Sequence, residues 1–140
     1  MNGVKYFFDT NILVYTFDLS SPAKAKRAEE LIFHGLDSGH GMISYQVVQE
    51  FITVMRRFSK PLTFDQIARY WTVTLLPLLV VHSSPALFNA AMNLASTQQL
   101  SWYDSLIVSA AIQGRCKILY SEDLQDGRRF GDLVVKNPFL

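Results

Sequence analysis

Four acids in this 140-residue chain could do chemistry together: Glu50 and Asp104, which lack a basic partner at helical spacing, and Asp9 and Asp123, which follow strands. Glu50 lies in a helical pattern from Tyr45 to Phe58, and its neighbours three and four places away are Gln46, Val47, Thr53 and Val54. None is basic, so no local ion pair explains the charge. Gln46, Glu50, Thr53 and Arg57 fall on one polar stripe, which as an ordinary solvent-facing stripe would need no further role. Asp104 opens an almost uncharged helical run, DSLIVSAAI over 104–112, with Leu100, Ser101, Ile107 and Val108 at helical spacing. Ser101 and Asp104 also make a Ser-x-x-Asp capping pattern. The two roles are compatible, because a helix N-terminus favours negative charge and phosphate. Asp9 directly follows an apolar strand, Val4–Phe8, and Asp123 follows a second strand, Lys117–Ser121, by two residues. Each could be a plain turn or cap residue. Each also sits at the carboxyl end of a strand, where open parallel sheets bind ligands.

Carboxylates gathered in a partly buried site repel one another and favour protonation unless a cation neutralises them. A hard cation with oxygen ligands, Mg²⁺ or Mn²⁺, meets that need. Zinc does not fit: His34, His40 and His82 are dispersed, and Cys116 is the single cysteine. Mg²⁺ binds through few carboxylates and keeps several waters, which suits metal-assisted hydrolysis of a phosphodiester.

The elements that must position these acids alternate along the chain. Helical patterns cover Ile12–Phe17, Pro22 to about Leu36 (with Ser20 or Ser21 as cap), Tyr45–Phe58, Phe64–Leu75, Pro85–Ser96 and Tyr103–Gln113. Strand patterns cover Val4–Phe8, Met42–Ser44, Leu78–Val81, Lys117–Ser121 and a last edge strand, Leu133–Val135. Gly35, Gly39 and Gly41 mark a loop. Such alternation predicts an α/β fold, a parallel sheet with helices on both faces. No repeat or linker divides the chain, so residues 1–140 form one domain.

Composition narrows the setting. At 49% hydrophobic residues the chain can build a core and is not of the disordered class. The longest apolar stretch, Leu75–Val81, is broken by Pro77 and is too short to span a bilayer. Residues 1–8 lack the features of a signal peptide, so a cytoplasmic setting is expected. A net charge of +1 carries no global mark of nucleic-acid binding. Basic residues are nonetheless grouped, as Lys24, Lys26 and Arg27, as Arg56, Arg57 and Lys60, and as Arg128 and Arg129.

These residues, in this order, resemble the PIN-domain nucleases, and among them the VapC-type toxins of prokaryotic toxin–antitoxin pairs. The matching stretches are Phe8-Asp9-Thr10-Asn11-Ile12-Leu13, Val48-Gln49-Glu50-Phe51, Asp104-Ser105-Leu106-Ile107 and Ser121-Glu122-Asp123. The resemblance covers nearly the whole chain and implies a three-layer α/β/α sandwich on a parallel sheet. It implies a Mg²⁺- or Mn²⁺-dependent endoribonuclease with Asp9, Glu50, Asp104 and Asp123 as the acidic quartet. Asp9, Asp104 and Asp123 would chiefly hold one or two ions, and Glu50 would help to position the metal or its water. Asn11 and Ser121 would orient the acids. Cleavage would leave a 3′-hydroxyl and a 5′-phosphate. RNA as substrate, an antitoxin partner and a homodimer are expected on the same basis.

Several points stay open at this stage. Glu122, Asp123 and Asp126 share one loop; Asp123 matches the Ser-x-Asp pattern, and Asp126 is a possible additional acid. Arg57, two turns beyond Glu50, is a candidate phosphate contact. Trp102 and Tyr103 could stack on bases or pack in the core. One rival is an aspartyl-nucleophile phosphatase, although such an enzyme wants an acid where this chain has Asn11. Another is a non-catalytic module that binds RNA or protein on the same fold.

Overall fold

Tyr6, Phe7 and Phe8 are all buried and form β1, as expected for a strand covered on both faces. The computed structural model describes residues 3–140; the two residues before them, part of the 1–140 domain expected above, lie outside the described residues. Six strands form one sheet in the order β3-β2-β1-β4-β6-β5, with β1 inside it. Here β2 is Gly41–Ser44, β3 Leu79–Val81, β4 Ile118–Tyr120, β5 Arg129–Phe130 and β6 Leu133–Lys136. Every pairing is parallel except β5 with β6. Helices cover both faces in the three-layer α/β/α arrangement expected from the alternation.

Leu133–Lys136 is not an edge strand. It lies between β4 and the two-residue β5, which occupies the edge. The hairpin turns through Gly131, at φ +62°, and Asp132. Two residues, one of them the exposed Arg129, are too few to show a strand period in sequence.

The helices are α1 (Thr10–Tyr15), α2 (Pro22–Ser38), α3 (Tyr45–Arg56), α4 (Phe64–Tyr70), α5 (Leu76–Leu78), α6 (Pro85–Gln98) and α7 (Trp102–Gln113). A π-helical turn, Trp71–Leu75, joins α4 to α5, and the Leu76 N–H reaches back to the Trp71 carbonyl. Gly35 is a correction to the expected loop: it lies inside α2, buried, and the helix stops at Gly39, which takes φ +74°. A Cβ on Gly35 would stand 2.9 Å from the Phe8 ring and 3.1 Å from the Gly41 backbone. Gly35 therefore serves close helix–strand packing rather than a turn.

The run 105–111 of α7 is buried without a break, which explains its nearly uniform apolar composition. Phe7, Phe8, Ile12, Leu13, Ile43, Phe51 and Leu119 are fully buried in the same core. No helix among the described residues is long and apolar enough to cross a membrane.

Candidate active site

Because β1 and β4 are neighbours with Phe8 opposite Tyr120, the residues that follow them emerge side by side. The Asp9 N–H donates to the Tyr120 carbonyl at 3.0 Å. Asp9 is also the N-cap of α1, and its Oδ1 accepts from the Thr10 N–H at 2.7 Å. Its Oδ2 accepts from the Ser121 hydroxyl at 2.7 Å. Asp9 and Ser121 are both buried.

The other acids come from different elements. Glu50, in the middle of α3, accepts from the Thr10 hydroxyl at 2.8 Å. Asp104, in the first turn of α7, donates its N–H to the Ser101 hydroxyl at 3.1 Å. Only that half of the expected capping box forms, so the cap does not spend the Asp104 carboxylate. Asp123 follows β4, and its Oδ2 accepts from the Asn11 amide at 3.1 Å. Asn11 also accepts from the Glu122 N–H at 3.3 Å, and Ser121 Oγ accepts from the Asp123 N–H at 3.2 Å. The loop that carries Asp123 is thus tied to the first turn of α1.

Asp9, Glu50, Asp104 and Asp123 line one recess of about 290 Å³, together with Thr10, Asn11, Gln46 and Tyr103. Not one Lys, Arg or His is in its wall. Electrostatics follow from that composition. Burial pushes the Asp9 carboxyl up to about 6, against the opposing pull of the Ser121 and Thr10 hydrogen bonds, and the Asp123 and Glu50 charges push the same way as burial. A protein that assembles four acids without a counter-charge leaves room for a cation from outside.

The donor set fits a hard divalent ion in chemistry. Among the described residues, no three acids or imidazoles close on a single point as a ready-made cage. An ion that keeps several of its waters, as Mg²⁺ does, is compatible with that open spacing.

Other candidates fall elsewhere. Asp126 accepts from the Asn137 N–H at 2.8 Å and is absent from the recess wall. Glu122 is engaged by Lys24 at 2.6 Å and by the Tyr15 hydroxyl. Burial works against ionisation of Glu122, yet Lys24 and Tyr15 outweigh it and hold the carboxyl below its usual range. Arg57 stands at the end of α3, in a separate recess with Phe17, Asp18, Phe58 and Lys60. Seven residues along a helix carry it roughly 10 Å past Glu50, which is why sharing a stripe did not bring it to the acids. Burial pushes the Cys116 thiol up to about 12, so it offers no thiolate. Thr10 was not singled out from the sequence, and its one usable signal was its place beside Asp9; Gln46 was read only as part of the Glu50 stripe and Tyr103 only as an aromatic for stacking or core packing.

A family model for the PIN domain matches residues 6–129, and the chain belongs to that family. No curated protein matches the sequence. Among solved structures, the chain is similar to a toxin–antitoxin complex from Klebsiella pneumoniae, at 18% identity over 96% of this chain and 98% of that one, with a TM-score of 0.69. It is also similar to VapBC2 from Rickettsia felis, bound to a DNA fragment from their promoter, at 19% identity, 95% and 98% coverage, and a TM-score of 0.64. VapC20 from Mycobacterium tuberculosis, a sarcin–ricin loop cleaving toxin, matches at 16% identity, 85% and 90% coverage, and a TM-score of 0.62. At these identities the likeness is one of fold.

Proposed function

We propose that this PIN-domain protein is a Mg²⁺- or Mn²⁺-dependent endoribonuclease and the toxin of a type II toxin–antitoxin pair. The observation that carries the reading is the recess with four carboxylates and no basic residue in its wall. When bound, the divalent ion supplies Lewis acidity toward the phosphodiester and the attacking water. Asp9, Asp104 and Asp123 would hold it, while Ser121, Thr10 and Asn11 keep Asp9 and Asp123 oriented through the bonds described above. Glu50, steadied by Thr10, orients the water. Water adds to phosphorus in line with the departing 3′ oxygen, which leaves protonated as a 3′-hydroxyl and gives a 5′-phosphate on the other fragment.

The toxin part of the reading rests on relatives of the same fold that are toxins of such pairs, one of them a toxin that cleaves the sarcin–ricin loop. An antitoxin partner, a homodimer and a cytoplasmic setting belong to the same proposal. The phosphatase alternative is less well supported. Both Asp9 oxygens already accept hydrogen bonds, and position 11 is an amide engaged with Asp123.

Incubation of the purified protein with RNA, with Mg²⁺, Mn²⁺ or EDTA, tests the proposal. Metal-dependent fragments with 5′-phosphates are expected. Intact RNA under every condition would favour a binding module, and equal cleavage in EDTA would overturn the metal role.

A further inference from the structure

A second cavity, of about 230 Å³, lies beside the carboxylate recess. Its wall includes Ser44, Gln46, Ser83, Phe88, Trp102 and Tyr103. Gln46 and Tyr103 line both spaces, and the Gln46 amide donates to the Tyr103 carbonyl at 3.2 Å. The two cavities therefore share a wall, with the acids on one side only.

Two polar atoms on residues of this wall are buried without a hydrogen-bond partner among the described residues, Ser44 Oγ and Gln46 Oε1. Ser44 is only 2% exposed, and although it stands at the N-cap of α3 its hydroxyl makes no capping bond. Gln46 spends its amide N–H on Tyr103, which leaves its carbonyl as a free acceptor. Buried polar groups are normally paired, and these two, both on residues of this wall, are not.

We propose that this cavity receives one nucleobase of the RNA strand whose adjoining phosphate lies over the carboxylates; the assignment of RNA rests on the nuclease reading above. Three features select a base. No residue of the wall is charged, so it lacks the cation a phosphate would call for. It combines aromatic surface, with Phe88 edge-on to Trp102 at 5.6 Å and Tyr103 63% exposed, with neutral polar groups. Unpaired bases are held in this way, by stacking on aromatic rings and by hydrogen bonds to their edges. The volume is below the roughly 300–1,000 Å³ of pockets for drug-sized ligands, which suits a single ring system. A base edge presents donors and acceptors together, which matches one carbonyl acceptor and one hydroxyl.

The test uses the full chain with Trp71→Phe, so that Trp102 is the only indole, and short single-stranded RNA trimers with uncharged methylphosphonate linkages. Such trimers are neither repelled by the acids nor cut. A saturable change in Trp102 fluorescence is expected with a central base, and binding weaker by about tenfold or more with an abasic centre. Ser44→Val and Gln46→Leu should each weaken the base-containing trimer by about tenfold and leave the abasic one unchanged. Equal binding of the two trimers, or unchanged affinity in Gln46→Leu, overturns the proposal. Should Ser44→Val fail to fold by circular dichroism, Gln46→Leu on a half-buried helix position decides. Base-dependent binding by a protein that cuts no RNA would sink the nuclease reading and leave the cavity assignment standing. Metal-dependent cleavage without base-dependent binding would do the reverse.

Discussion

The Ser121 hydroxyl donates to Asp9 Oδ2 at 2.7 Å, across 112 residues of sequence, and both residues are buried. The same oxygen of Ser121 accepts from the Asp123 and Leu124 N–H groups. One hydroxyl thus links the first acid to the loop that carries the last. Ser121→Ala leaves a buried carboxylate oxygen and two N–H groups without this partner. A loss on the order of 1–3 kcal/mol is expected in urea unfolding at pH 7. Metal affinity or cleavage should fall by about 10- to 100-fold, the usual cost of removing a group that orients a ligand. A variant with full stability and full activity would show that the link is incidental.

Asp9 makes the metal-free protein sensitive to pH in an unusual direction. Its carboxyl is pushed up to about 6, from an ordinary value of 3.8. The folded state therefore binds a proton more tightly than the unfolded state, and Asp9 contributes most to stability below pH 3.8. That contribution is lost as pH rises through 6, and it amounts to on the order of 3 kcal/mol. In EDTA, Asp9→Asn should flatten this part of the profile and be more stable than the parent at pH 7. Mn²⁺ should raise the parent Tm more at pH 7 than at pH 4.5, because the ion competes with the proton. An identical pH profile for the two proteins, read by thermal melts in EDTA, would refute the account.

Asp104→Asn keeps the shape and the Ser101 cap, since the capping bond uses the backbone N–H. Stability should change little, while cleavage falls by more than about 100-fold, because an amide is a poor ligand for a hard cation. The comparison needs a melt and an RNA cleavage assay on the same preparation. Loss of activity with an unchanged Tm separates chemistry from folding. Retained activity would remove Asp104 from the metal site.

How far the sequence reached depended on whether a feature was local. The strands and helices that carry Asp9, Glu50, Asp104 and Asp123 were legible from apolar period and Gly or Pro punctuation. Glu50 and Asp104 could be singled out because no basic residue stands at helical spacing from them, and Asp9 and Asp123 because they follow strands. Thr10 escaped notice because its partner Glu50 is 40 residues away. For Arg57 the stripe it shares with Glu50 fixed direction but not distance along the axis, so the sequence did not show that it lines a recess separate from the acids. The edge strand β5 was too short to carry a pattern.

Gly35 offers a direct check on the packing of β1. A methyl group there meets the Phe8 ring at 2.9 Å and the Gly41 backbone at 3.1 Å, and backbone cannot step aside as a flexible side chain can. In an exposed helix interior Gly→Ala would gain up to about 1 kcal/mol from helix propensity. Here overpacking should outweigh that gain and cost about 1–3 kcal/mol. Urea unfolding of Gly35→Ala decides between the two effects by sign. A stabilised variant would mean that α2 can lift away from β1 at little cost.

Lys24 reaches from α2 to Glu122 at 2.6 Å, and it lies over the Tyr15 and Phe139 rings at 4.9 and 5.5 Å. Glu122 immediately precedes Asp123, so this clamp holds the acidic loop from outside while Asn11 and Ser121 hold it from within. The clamp has a second effect, since a Glu122 paired with Lys24 is not free to act as a ligand. Lys24→Met should loosen the loop and weaken Mn²⁺ binding by about tenfold, as for other partners that orient a ligand. It should also let the Glu122 carboxyl rise toward its usual range, because the ammonium that now favours its charge is gone. Lys24→Arg keeps the charge and should recover most of the affinity. Calorimetric Mn²⁺ titration of the three proteins separates the cases. Equal loss in Lys24→Met and Lys24→Arg would point to packing against Tyr15 and Phe139, and no loss in either would make the ion pair a surface contact without influence on Asp123.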